Sequence, residues 1–173
     1  MRVLDKPEAE ILVAAELHRI PEPHRACVMC AIAGKAYSTE LIVRENDAAV
    51  CVLDRFASTR GHLVIITREH LTRPSDVSRR VHEQVQELVY DAAVTLERAL
   101  APVRVYVAQL GSPEARPMTF PHVHAHVVPI YETDDRAKPT RVFSWTHGVV
   151  VYEPSEANEL VELLRSRWQS GRA

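Results

Sequence analysis

The segment Phe120-Pro121-His122-Val123-His124-Ala125-His126-Val127-Val128-Pro129 sets three histidines at alternate positions in an apolar run bounded by prolines. In an extended strand successive side chains point to opposite faces. The three imidazoles therefore share one face, about 6 to 7 Å apart, while Val123, Ala125 and Val127 share the other. Packing does not explain the choice, because each ring needs partners for its nitrogens and apolar residues would fill the space without that cost. Two chemistries suit such a face. A neutral imidazole whose second nitrogen is held by a hydrogen bond is a good nucleophile toward phosphorus, and His124, in the middle, is the best placed of the three. His-x-His on a strand equally suits a metal centre of the oxygenase or cupin-like kind, and spacing alone does not separate the two.

Cys27-Val28-Met29-Cys30 is the second candidate site, since both thiolates of a C-x-x-C can reach one tetrahedral zinc. Two further ligands must come from distant sequence. The candidates are His70, closing Thr67-Arg68-Glu69-His70, and one member of the histidine strand. Three cysteines make a disulfide framework a poor reading and a metal or redox pair in a reducing compartment a better one. Cys51, inside an apolar run, reads as core.

These residues need a scaffold. The 173 residues suffice for one well-buried core, with terminal extensions, and are short for two. Val50 to Leu53 and Leu63 to Ile66 read as strands joined by a turn-rich loop, Leu41 to Arg44 as a third and Val103 to Ala108 as a fourth. Between them Val77, Val81, Val85, Leu88, Val89, Ala92, Leu96 and Leu100 recur at steps of three and four, which predicts one long helix over residues 76–100 capped by Ser75 or Asp76. Residues 8–19 predict a short accessory helix. Phe143 to Trp145 and Val149 to Tyr152 could extend or cover a sheet, and Leu160, Leu163, Leu164 and Trp168 mark a C-terminal amphipathic helix. The order of elements argues an α+β fold with a mainly antiparallel sheet. Net charge is -2, with Lys and Arg spread along the chain, which speaks against a nucleic-acid or membrane-surface partner and for a small-molecule substrate. No apolar run approaches the roughly 18 residues a membrane span needs, and residues 1–7 lack the apolar core of a signal peptide, so the expected compartment is the cytosol. His18, His24, His82 and His147 suggest no role. Trp145 and Trp168 read as packing, although a tryptophan near the end of the histidine strand could touch a ligand or a dimer partner.

The pieces together resemble the histidine-triad (HIT) family, whose motif is three histidines alternating with apolar residues and followed by two more. Here it is complete: His122-Val123-His124-Ala125-His126-Val127-Val128. The resemblance extends to Cys27-x-x-Cys30-x-Ile32-x-Gly34, to Asp54 followed eight residues later by His62, and to Gly61-His62-Leu63-Val64-Ile65-Ile66 ending at His70. It covers roughly residues 27 to 130. The resemblance implies a HIT-like α+β fold paired as a homodimer, with an N-terminal helical extension over 1–26, a core over 27–131 and a C-terminal extension over 132–173. It implies a nucleotide hydrolase or nucleotidyl transferase acting on substituted nucleoside phosphates through a covalent nucleotidyl-histidine on His124. The alternatives are a diadenosine polyphosphate hydrolase or phosphorylase, and a nucleotide-binding zinc protein with little turnover. His126 and His62 would contact phosphate or orient the site, Asp54 would accept from ribose hydroxyls, and Thr119 would stand near the leaving group. Met118 replaces a glutamine that commonly contacts phosphate, and Arg116 could supply replacement charge. Cys27, Cys30, His70 and His122 would hold a structural zinc.

Overall fold

The runs read as strands do form strands, and the long periodic segment forms one helix, in a computed structural model that describes residues 1–22, 24–112 and 119–168. In chain order the elements are β1 (Arg2–Leu4), α1 (Lys6–Leu17), α2 (Val28–Ala33), β2 (Ile42–Glu45), β3 (Ala49–Leu53), β4 (Leu63–Thr67) and α3 (Arg79–Leu100). They continue with β5 (Arg104–Leu110), β6 (His124–Ile130), α4 (Pro139–Val142), β7 (Val149–Val151) and α5 (Pro154–Arg167). The main sheet has the order β2-β3-β4-β6-β5, with every neighbouring pair antiparallel. This is an α+β fold with an antiparallel sheet.

Period-two burial separates the faces of the sheet. Cys51, Leu53, Leu63, Ile65, Ala125 and Val127 form one core with Val85, Leu88, Val89, Ala92 and Leu96 of α3 and Leu160, Val161 and Leu164 of α5. Val50, Val52, Val64 and Ile66, on the opposite face, pack with Met29 and Ala33 of α2. The sheet is thus covered on both sides, and α2 lies on the side that carries His124 and His126.

Several boundaries differ from the sequence expectation, each for a local reason. The long helix starts at Arg79, later than expected: Pro74–Asp76 closes a separate single turn, and Ser78 caps the helix by accepting from the Val81 N–H at 3.3 Å. The first helix starts at Lys6, because Asp5 and Glu8 form a reciprocal capping box. Regular pairing of the histidine strand begins at His124; the His122 N–H donates to the Phe120 carbonyl at 2.8 Å, a bend that takes His122 out of the ladder. Phe143 follows the short α4, and Val149–Val151 pairs with Arg2–Leu4 in a separate two-stranded sheet, so neither segment extends the main sheet. That pairing joins the two ends of the chain, and β1 carried no sequence signal of its own.

The turn from β3 to β4 requires glycine at one position. Gly61 has φ +89°, and a Cβ there would come within 2.4 Å of Leu100 Cδ1. Its N–H donates to the Tyr152 hydroxyl at 2.9 Å, and the Asp54 N–H donates to the His62 carbonyl at 2.9 Å, which fixes Asp54 and His62 across the mouth of the hairpin.

Candidate active site

β6 delivers the histidines. In register with β4, His124 stands opposite Ile66 and His126 opposite Val64, and both line a cleft of about 280 Å³. Its other walls come from α1, α2, the ends of β3 and β4, Thr119 and the segment after α4, including Met29, Val52, Phe56, Phe143 and Trp145. His124 is 1% exposed. Its Nδ1 lies 2.6 Å from the His122 carbonyl oxygen, which can only accept, so Nδ1 carries the proton. Nε2 is then a bare lone pair, buried and without a hydrogen-bond partner among the described residues. Burial holds this imidazole below its ordinary range, against the opposing effects of the His122 carbonyl and Asp54.

His62 and His126 form a relay beside it. The Ser58 N–H donates to His62 Nδ1 at 3.2 Å, so His62 Nε2 bears hydrogen and donates to His126 Nδ1 at 2.8 Å. His126 Nε2 is left as an N–H donor. Burial drives His62 down to about 3 and lowers His126, whose neighbour His62 adds to the effect. Both rings are therefore neutral near pH 7. Asp54 Oδ2 lies 3.3 Å from His62 Nδ1 while Oδ1 accepts from the Phe56 N–H at 3.0 Å, and burial pushes its carboxyl upward.

Cys27, Cys30, His70 and His122 come together on the far side of His122, with one ligand atom from each lying within 4.8 Å of the others. Cys27 Sγ and Cys30 Sγ are both 3.5 Å from His122 Nδ1, and Cys30 Sγ is 3.2 Å from His70 Nδ1. Tetrahedral zinc with ordinary Zn–S and Zn–N bonds sets sulfur and nitrogen about 3.5 Å apart, so the set fits that ion. The tautomer fits as well: His122 Nε2 donates to the Thr67 carbonyl at 2.8 Å, which leaves Nδ1 unprotonated toward the sulfurs. With no cation, burial and the neighbouring Cys27 push the Cys30 thiol up to about 12. A divalent ion at this point would reverse that preference.

Of the residues singled out in the sequence, His124, His126, His62, Asp54 and Thr119 meet in the cleft, and Cys27, Cys30, His70 and His122 meet in the cluster. Arg116 and Met118 lie outside the described residues. Asp54, His62 and His126 also group closely enough to hold an ion, but the 2.8 Å His62–His126 hydrogen bond occupies both facing nitrogens. Sequence reading missed Glu16, Tyr37, Arg55 and Phe56 as lining residues. Only the adjacency of Arg55 and Phe56 to Asp54 could have pointed to them; Glu16 and Tyr37 reach the cleft through tertiary packing that has no local signature.

The sequence matches the model of the HIT domain over residues 35–133, more than half of the chain. The chain belongs to the HIT family. An uncharacterized HIT-like protein of Mycoplasma genitalium is 31% identical over 109 residues, covering 62% of this chain and 75% of that protein. A HIT-like protein of Saccharolobus solfataricus is 28% identical over 109 residues, covering 62% and 76%. Among solved structures, a zinc-bound histidine triad family protein from Mycobacterium smegmatis superposes with TM-score 0.63 at 22% identity, covering 82% of this chain and 91% of that one. The diadenosine triphosphate hydrolase of Plasmodium falciparum gives 0.59 at 14% identity, covering 75% and 76%. At these identities the structural likeness shows the HIT fold.

Proposed function

We propose that this HIT protein is a nucleotide hydrolase or nucleotidyl transferase that acts on substituted nucleoside monophosphates through His124. One observation carries the reading: a buried imidazole with Nδ1–H bound to a carbonyl and Nε2 bare, facing a largely apolar cleft. In the first step the Nε2 lone pair forms a bond to the α-phosphorus as the bond from phosphorus to the leaving group breaks, giving a nucleotidyl-histidine. The leaving group departs with the bonding electrons and takes a proton from solvent, with Thr119 standing near it. In the second step water, or another acceptor, attacks phosphorus and gives up its proton to solvent, the P–N bond breaks with its electrons returning to Nε2, and Nε2 recovers its lone pair. The positive charge that His124 carries in the intermediate is offset by the His122 carbonyl on Nδ1–H and by Asp54 nearby. His126 Nε2–H would donate to a phosphate oxygen, with His62 fixing its tautomer, and Asp54 would accept from the ribose.

Zinc held by Cys27, Cys30, His70 and His122 would be structural, because four protein ligands leave no open position. The Mycobacterium smegmatis neighbour, itself zinc-bound, supports this. No helix among the described residues is long and apolar enough to cross a membrane, and the reading takes the protein to be cytosolic. It also takes it to be a homodimer joined along β5, one of the two edge strands of the main sheet. The test is His124→Ala: turnover of adenosine and guanosine 5′-phosphoramidates falls by at least about a thousandfold while zinc content and melting temperature hold. An unchanged rate contradicts the reading. Dinucleoside polyphosphates assayed beside them test the dinucleotide alternative, to which the Plasmodium falciparum neighbour points.

A further inference from the structure

The cleft has a second polar region that the proposed chemistry does not use. Glu16 projects from α1 into its wall with a side chain only 12% exposed. One carboxylate oxygen accepts from the Tyr37 hydroxyl at 2.7 Å and the other from Arg19 at 2.6 Å. Among the described residues these two bonds use half of the roughly four lone pairs a carboxylate offers. Arg55 lies over the Tyr37 ring, 5.8 Å from its centroid, and also lines the cleft. Its Nη2 donates to Ser38 Oγ at 3.2 Å and to Glu40 at 2.7 Å, while its Nε is a buried donor with no acceptor among the described residues. One cleft is thus lined by an under-used acceptor, Glu16, and by a guanidinium, Arg55, both against Tyr37, among walls that are largely apolar, including Val13, Leu17, Met29, Ile32, Val52 and Phe56. Apolar walls hold any flat base; selectivity comes from the few polar groups aimed at its edge.

We infer that this wall reads the edge of a guanine base, with Glu16 accepting from N1–H and the exocyclic amine and Arg55 donating to O6. The pattern is complementary to guanine and opposed to adenine, which carries an amine donor where guanine has O6. At N1, adenine presents a lone pair to the carboxylate. A site that leaves buried polar groups unpaired with the wrong base discriminates strongly. Because Glu16 belongs to the helix before Cys27, the segment outside the shared motif would set base choice. The inference rests on the proposed use of the cleft for nucleotides, and the experiment separates the two.

The experiment is kcat/KM with guanosine and adenosine 5′-phosphoramidates, together with calorimetric binding of GMP and AMP, for the wild type, Glu16→Gln and Arg55→Met. Wild type is expected to favour guanosine at least tenfold in both measurements. In Glu16→Gln the ratio falls to near one, because an amide can donate to adenine N1; in Arg55→Met guanosine alone weakens. Equal use of the two bases by wild type overturns the inference, as does a parallel loss for both bases in the variants, which would mean that Glu16 only anchors α1. Melting curves show whether Glu16→Gln folds, and where it does not, the wild-type ratio and Arg55→Met decide. Selective GMP binding without any turnover would contradict the reaction and keep the base reading; turnover without preference would do the reverse; binding of neither nucleotide would overturn both.

Discussion

His122 couples the two sites through opposite ends of one residue. Its ring faces Cys27 and Cys30, and its carbonyl holds the proton on His124 Nδ1. Losing the metal should therefore loosen the nucleophile without touching it. Cys30→Ser is expected to drop zinc from about one ion per chain to near zero by elemental analysis, to lower the melting temperature, and to reduce turnover far less than loss of His124 does. Full zinc occupancy in Cys30→Ser would contradict the four-ligand assignment. At this scale much was legible in the sequence. Strand alternation put His124 and His126 on one face, and C-x-x-C is a local pattern. The sequence could not show that His122 leaves the ladder, since the bend at Phe120 is a backbone choice. From the residues alone His70, forty residues from Cys30, is one candidate ligand among others, and the family resemblance is what assigns it.

The element on which the site most depends is the β3–β4 hairpin, which places Asp54, Ser58 and His62 in nine residues. Gly61→Ala puts a side chain at φ +89° and against Leu100. The strain is expected to destabilise the fold by about 1–3 kcal/mol, read by urea titration, and to lower kcat by shifting His62 from His126. A variant with unchanged stability and rate would show that the turn is not held as described. Strands and the long helix could be read because their periodicity is local. The helix start was misjudged because Ser75 and Asp76 satisfy the cap pattern as well as Ser78 does, and Pro74 decides between them by closing a separate turn. α1 showed helix formers but no clear face: Ala9 is its one fully buried residue, and Ile11 is exposed. Its contribution to the cleft was accordingly invisible.

At the scale of the molecule two consequences follow. Among the described residues β5 is a seven-residue edge paired on one side only, with Val107 on it and Val103 just before it about half exposed and Tyr90 of α3 64% exposed. Such an edge is a template for a second copy. Light scattering is expected to give twice the chain mass for the wild type and the chain mass for Val107→Asp; a wild-type monomer contradicts the dimer. The second consequence concerns acid. His62 in the folded chain titrates near 3, against 6.5 when unfolded. Between those values the unfolded chain binds a proton that the folded chain excludes, so stability is present above about pH 6.5 and is lost as pH falls through the window. The loss is about 1.4 kcal/mol per pH unit for this group, with His126 adding in the same direction. Urea titrations between pH 7 and 5 should show a shallower dependence in His62→Gln, and an identical slope would contradict the buried neutral imidazole. The short strand that ties the N-terminus to Val149–Val151 belongs to this scale too, and three residues are too few for a sequence signal.

The most direct measurement is intact-protein and peptide mass spectrometry after millisecond mixing with a nucleoside 5′-phosphoramidate and acid-free quenching. The wild type should carry one nucleoside monophosphate adduct, mapped to His124 and absent from His124→Ala. Turnover with no adduct on that residue, or an adduct placed elsewhere, would contradict the account.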